Sequence, residues 1–199
     1  YNDPVVILTI SALILIGGIG FFVWNDLREH GLHCRHYALQ TKMVLSATAV
    51  CLFGGTLLFY LFEHNRLFAG MSFGEQLLNS FFCTVTPRTA GFNTADFSKL
   101  TESGQMLTII LMLIGGSPGS TAGGMKTTTL AVLTATAVSV FRRNENPELF
   151  KRRIAPETVA NAASILMMYL SLCLTGAFLI SRIEELPMMA CMFETASAV

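Results

Sequence analysis

Apolar residues run through this chain in blocks, and the length of each block decides what it can be. Residues 4–24, 43–62, 103–125, 127–141 and 158–181 contain no Asp, Glu, Lys or Arg. A bilayer core about 30 Å thick takes about 20 apolar residues in a helix. Residues 4–24, 43–62 and 158–181 therefore each predict one crossing. Gly17, Gly18 and Gly20 give the first of these a small-residue face suited to close helix contact. Residues 25–42 read as a polar loop, and residues 63–70 as a short connection on the other side. Residues 71–85 are apolar but short, and they carry Glu75, Gln76 and Asn79. They predict a helix that enters the membrane and turns back at Pro87, leaving Thr89, Ala90, Gly91 and Phe92 in an extended segment. Residues 93–102 follow as an amphipathic connector, and residues 187–199 open another short apolar segment.

Residues 103–141 carry a single charge, Lys126. As one helix they would be about 58 Å long, almost twice the hydrocarbon thickness. The run Gly115-Gly116-Ser117-Pro118-Gly119-Ser120-Thr121-Ala122-Gly123-Gly124 interrupts them. Non-helical backbone survives at membrane depth only where it is buried in protein or lines a wet cavity. The stretch therefore predicts one crossing made of two half-helices joined by a loop.

Charge fixes the count. Residues 25–42 hold Arg28, Arg35 and Lys42, and residues 142–157 hold Arg142, Arg143, Lys151, Arg152 and Arg153. Both basic loops are expected on the cytoplasmic side. An even number of crossings must separate them, so residues 71–85 re-enter from outside rather than cross. The unit of span, short helix, turn and span occurs once in full over residues 43–141 and begins again at Thr158. Phe82-Cys83-Thr84-Val85-Thr86 has an echo in Phe193-Glu194-Thr195-Ala196-Ser197. Residues 1–42 then read as the last span of a preceding unit plus its cytoplasmic loop. Residues 142–199 read as a loop and the opening of the next unit, and the whole as a piece of a longer protein.

Composition agrees. Hydrophobic residues make up 52% and charged residues 13%, about half the usual charged share. The expected class is an all-α, multi-span membrane protein surrounded by lipid. A net charge of zero gives no argument for nucleic acid or an acidic partner. The five cysteines show no paired spacing and read as packing thiols.

The candidate chemistry is that of an ion path. A dehydrated cation needs oxygen ligands, and backbone carbonyls supply them where the chain is extended and a glycine allows unusual dihedrals. Thr89, Ala90, Gly91 and Phe92 fit that need in their re-entrant context; by themselves they also fit an ordinary turn. Arg88 is expected to point away from the path and to pair with Glu75 or Asp96. The glycine run contains two other patterns. Gly119…Gly124-Met125-Lys126-Thr127 resembles a phosphate-binding loop with its Lys one residue late. Gly115-Gly116-Ser117-Pro118-Gly119 fits G-x-S-x-G, the elbow of a serine hydrolase, yet no His lies within a span to serve as base. His30, His33, Cys34 and His36 form a pattern that fits a metal site or a solvated loop. No cofactor is expected in the chain.

TPRTAGF, then IGGSPGSTAGGMKTT, with GGIGFFVWNDL upstream, resembles the Trk/Ktr/HKT superfamily of potassium transporters, and within it the bacterial membrane subunits of the TrkH/KtrB kind. The likeness covers essentially the whole chain. It implies four span–pore helix–span units around one pore in a bacterial plasma membrane. Gly91 would be the filter glycine of the third unit, with K⁺ held by the carbonyls of Thr89, Ala90 and Gly91. Gly115, Gly116, Ser117, Gly119, Gly123, Gly124 and Lys126 would belong to the loop that gates the pore below the filter. The resemblance further implies K⁺ as the transported ion, homodimers and a cytosolic nucleotide-binding regulatory ring. Passive flow and coupling to Na⁺ or H⁺ both remain open.

Overall fold

A computed structural model of the chain describes residues 3–31, 33–88, 90–92, 97–143, 146–150 and 152–199. Among them, helices α1 (Pro4–Ile19), α2 (Phe21–His30), α3 (Leu39–Glu63), α4 (Phe73–Val85), α5 (Glu102–Ile114), α6 (Thr127–Phe141), α7 (Pro156–Glu184) and α8 (Met188–Ala198) follow in order. A two-stranded hairpin, β1 (Glu148–Leu149) and β2 (Arg152–Arg153), lies between α6 and α7 with Glu148 opposite Arg153. The fold is all-α and polytopic, as its hydrophobic pattern predicts.

The 25 residues of α3 and the 29 of α7 are each long and apolar enough to cross a membrane. The first apolar block behaves differently from expectation. It breaks at Gly20, and α2 leaves α1 at 90°. Phe21–Trp24 therefore belong to α2 rather than to the first span, and the polar loop shrinks because α2 runs to His30 and α3 starts at Leu39. Hydrophobicity sees no difference between a straight helix and a bent one. The cause of the break is tertiary, as the loop contacts below make plain.

Beyond the bend, Asp26 ties α2 to α3. Its Oδ2 accepts the N–H of Ala38, the residue that caps α3, at 2.8 Å, and its Oδ1 stands 3.0 Å from His30 Nδ1. A carboxylate at a helix N-terminus is favourable because the free N–H groups there carry partial positive charge. Thr41, Ala38 and His30 hold the Asp26 carboxyl below the usual carboxylate range, with the Thr41 hydrogen bond the largest cause and burial opposing it.

Helix α4 starts on a capping box: Ser72 Oγ accepts from Glu75 N–H, and the Glu75 carboxylate accepts from Ser72 N–H at 2.8 Å. Its 13 residues reach only about 20 Å. It turns back where Gly55 of α3 lets it approach; a Cβ on Gly55 would lie 2.5 Å from Thr84 Cγ2. The same contact recurs one unit later, where a Cβ on Gly176 of α7 would lie 2.9 Å from Thr195 Cγ2 of α8. Thr84 and Thr195 are the matching positions of the sequence echo. Phe59, Phe68, Cys83, Leu100, Leu107 and Leu111 form the core joining α3, α4 and α5. A second cluster around Ile109, Cys173 and Ala196 joins α5 to α7 and α8.

At the outer end of α3, Glu63 is fully buried. Its Oε1 accepts from Thr101 N–H at 2.9 Å and Thr101 Oγ1 at 2.6 Å, which places a carboxylate over the start of α5. A Cβ on Gly104 would lie 2.3 Å from the same oxygen. Read from the sequence, Glu63 merely opened a connecting loop.

Candidate functional site

The short helix α4 delivers its C-terminus to a turn that is fixed from both sides. Arg88 N–H donates to Val85 O at 3.2 Å, and Ala90 N–H donates to Thr86 O at 3.2 Å. Thr86 Oγ1 donates to Phe92 O across the turn. Gly91 has φ +71°, in the region that favours glycine, and a Cβ placed on it meets no atom within 4 Å. Its dihedral favours glycine there. Thr89 and Asp96 lie outside the described residues.

Arg88 does point away from the turn, but not toward Glu75, whose carboxylate is used in the α4 cap. The guanidinium is buried against α3 instead, with Nη1 3.4 Å from Thr48 Oγ1 and the Cys51 thiol beside it. A long side chain at the end of a short helix reaches the nearest packed neighbour, and here that neighbour is α3.

The interrupted crossing is built as two half-helices, with α5 ending at Ile114 and α6 starting at Thr127. The loop between them folds on itself. Gly116 N–H donates to Gly123 O at 3.3 Å, Met125 N–H to Leu113 O at 3.0 Å, and Thr127 N–H to Gly116 O at 3.0 Å. Its glycines make this possible: a Cβ on Gly115 would lie 2.3 Å from Gly123 O, and one on Gly116 would lie 2.4 Å from Ala122 Cβ. The glycines produce a compact plug of backbone on backbone. Lys126 does not simply add a charge beneath the loop; its Nζ donates to Ala122 O at 2.7 Å and ties the loop to the start of α6. Ser117 is buried, and its Oγ stands 3.1 Å from Thr127 Oγ1, an arrangement with no imidazole in it. His30 stacks on His36 with ring centroids 6.2 Å apart, and among the described residues no group of His, Cys, Asp or Glu is placed to hold a metal ion.

Turn and loop face the same space. A cavity of about 610 Å³ is lined by Ala90 and Gly91 of the turn and by Gly123 and Gly124 of the loop. Thr86 and Pro87 at the end of α4, Met112 of α5 and Phe193, Ala196 and Ser197 of α8 also line it. The C-terminus of α4 thus borders the cavity and carries about half a negative charge, with α8 on the other side. Gly123, Ser197 and Gly91 are far apart in the sequence, and only packing brings them together.

Comparison with known proteins places this architecture. The model of a family described as TrkH, cation transport protein, matches residues 1–199. The chain belongs to this TrkH family. It is 41% identical over 182 residues to the potassium/sodium uptake protein NtpJ of Enterococcus hirae, a match covering 91% of this chain and 40% of that protein. It is 37% identical to the Ktr system potassium uptake protein B of Vibrio alginolyticus, across 99% of this chain and 44% of that protein. The crystal structure of the potassium transporter TrkH from Vibrio parahaemolyticus superposes with a TM-score of 0.72 at 20% identity, covering 99% of this chain and 43% of that one. That likeness establishes the fold. The chain thus spans less than half the length of these relatives, which are membrane uptake proteins and not enzymes. As a TrkH-family chain it is part of a polytopic membrane protein, and the elbow-like G-x-S-x-G is part of its intramembrane loop.

Proposed function

We propose that this chain is the central part of a potassium uptake protein, with the turn at Gly91 as one quarter of a selectivity filter and the loop of residues 115–124 as the gate beneath it. The cavity shared by the turn, the loop, the end of α4 and α8 carries this reading. A K⁺ ion entering it exchanges water for carbonyl oxygens of the turn at Ala90 and Gly91. The C-terminal end of α4 favours its positive charge. The loop borders the same space and limits passage to the cytoplasm.

The uptake function of the relatives supports K⁺ as cargo. The name of the Enterococcus relative includes sodium, which favours Na⁺ as a second cargo or coupling ion. The word "system" in the Ktr names supports a further component, which we take to be a cytosolic nucleotide-binding ring acting on a homodimer of the membrane subunit. The hairpin after α6, with Arg152 and Arg153, lies at the end of the gate-bearing half-helix where such a partner would act.

Deleting residues 117–123 in the full-length protein, expressed in a bacterium lacking its own K⁺ uptake, tests the gate. Uptake of K⁺ should rise and become less dependent on the regulatory partner. An inserted, folded deletion with unchanged uptake and regulation would make the loop a packing element only.

A further inference from the structure

Among the described residues, the backbone hydrogen bonds that leave the loop and its own half-helices run to the bend between α1 and α2. Ser117 N–H donates to Gly18 O at 3.1 Å, and Phe21 N–H donates to Gly119 O at 3.0 Å. Gly18 O belongs to the last turn of α1, and Phe21 N–H to the first residue of α2. Helix ends leave such groups without partners inside their own helix. The break at Gly20 leaves Gly18 O and Phe21 N–H among the groups without a helical partner, and the loop supplies the matching donor and acceptor.

Glycine is needed on both sides of this contact. Gly20 has φ +93°, and a Cβ on it would lie 2.5 Å from Pro118 O. Gly119 has φ +72°, and a Cβ on it would lie 2.6 Å from the Phe22 ring. One turn earlier on α1, a Cβ on Gly17 would stand 3.8 Å from Thr121 Oγ1, an ordinary contact. The far part of α2 is in turn clamped to the start of α3 by Asp26.

We propose that the α1–α2 bend is a latch for the intramembrane loop, with Gly20 and Phe21 as positioning residues that hold it beneath the turn. This rests on reading the loop as a gate, and adds a second route of control. Besides α6, movement of α2 on the cytoplasmic side of the bend would pull on Gly119 directly. While both hydrogen bonds stand, the loop stays in place; when α2 shifts, four backbone groups lose their partners together and the loop is released.

Two variants of the full-length protein test it. Gly20→Ala puts a methyl group into Pro118 O and breaks the pair, so K⁺ uptake without the regulatory partner should rise roughly 5- to 30-fold, the factor expected for losing one or two modest hydrogen bonds. Gly54→Ala, whose Cβ meets nothing within 4 Å, serves as the control for a helix glycine. In case Gly20→Ala does not fold, the pair Gly17→Cys with Thr121→Cys provides an independent test. Oxidation should join loop to α1 and lower uptake at least about 10-fold in proportion to cross-linking, as a shut gate with no bypass requires. Reductant should restore uptake, and either cysteine alone should have no effect. A complete cross-link with unchanged uptake would overturn the latch. If deletion of residues 117–123 still raised uptake in that case, the gate would stand without its latch; if it did not, the gate reading would fall as well.

Discussion

At the scale of single residues, glycines at superficially similar positions do different work. Gly91 adopts φ +71° with open space where a side chain would go. A left-handed conformation costs an L-residue about 1–2 kcal/mol, and nothing here forces a clash. Gly91→Ser should therefore leave the fold intact and disturb the carbonyls on either side of it. The expected outcome is a lower K⁺ over Na⁺ preference, measured as the ratio of the two uptake rates, with normal expression and a melting temperature lowered by only about 2–8 °C. Unchanged selectivity would return this segment to an ordinary turn. Gly54 and Gly55 make the opposite point as neighbours on α3. Gly54 faces open space, whereas Gly55 faces Thr84. Gly54→Ala should stabilise the protein by up to about 1 kcal/mol through helix propensity. Gly55→Ala should destabilise it by about 1–3 kcal/mol, because α4 is pushed off α3. Melting temperatures of the two variants in detergent would show the difference in sign.

At the scale of elements, helices are held by their ends. Glu63 over α5, Asp26 over α3 and the Ser72–Glu75 box on α4 all place carboxylates at helix N-termini. Asp26 titrates with a consequence. Its pKa lies below the ordinary value of 3.8, so the folded protein binds the proton more weakly than the unfolded chain does. Its contribution is full at pH values above the unfolded pKa and is lost as the pH falls through the folded one. Asp26→Asn should lower the melting temperature at neutral pH, and the gap to the native protein should close below about pH 4. A gap that persisted unchanged into that range would mean that the charge of Asp26 does not clamp α2 to α3.

At the scale of the whole molecule, charge distribution orients the chain. The basic residues around Arg142 and Arg152 and those around Arg28 and Arg35 should face the cytoplasm, and the segment after Phe92 should face out. Asn93→Cys and Asn144→Cys, both outside the described residues, provide the probes. An impermeant thiol reagent applied to intact cells should label the first and spare the second. Equal labelling of both would break the parity on which the re-entrant reading of α4 depends.

Segment identity followed from composition, because a membrane offers no partner for loose backbone and so leaves long apolar stretches little choice but helix. The spans at α3 and α7, the short helix α4, the break between Ile114 and Thr127 and the echo of Thr84 in Thr195 were all legible that way. The motifs around Gly91 and Gly115 also carried the family. What the order of residues did not reveal was contact. The 90° bend at Gly20 arises because backbone of the loop, about a hundred residues later, needs that space and those hydrogen bonds. Arg88 turns to Thr48 and Cys51 because α3 lies beside it, and Glu63 is buried because α5 begins above it. The loop's glycines proved to serve close packing, since a glycine reads the same in sequence whether it loosens a chain or lets two backbones touch. Hydrophobicity is a property of each segment and survives reading in one dimension. The meeting of turn, loop and helix ends around one cavity is a property of pairs distant in sequence, and only the tertiary structure decides it.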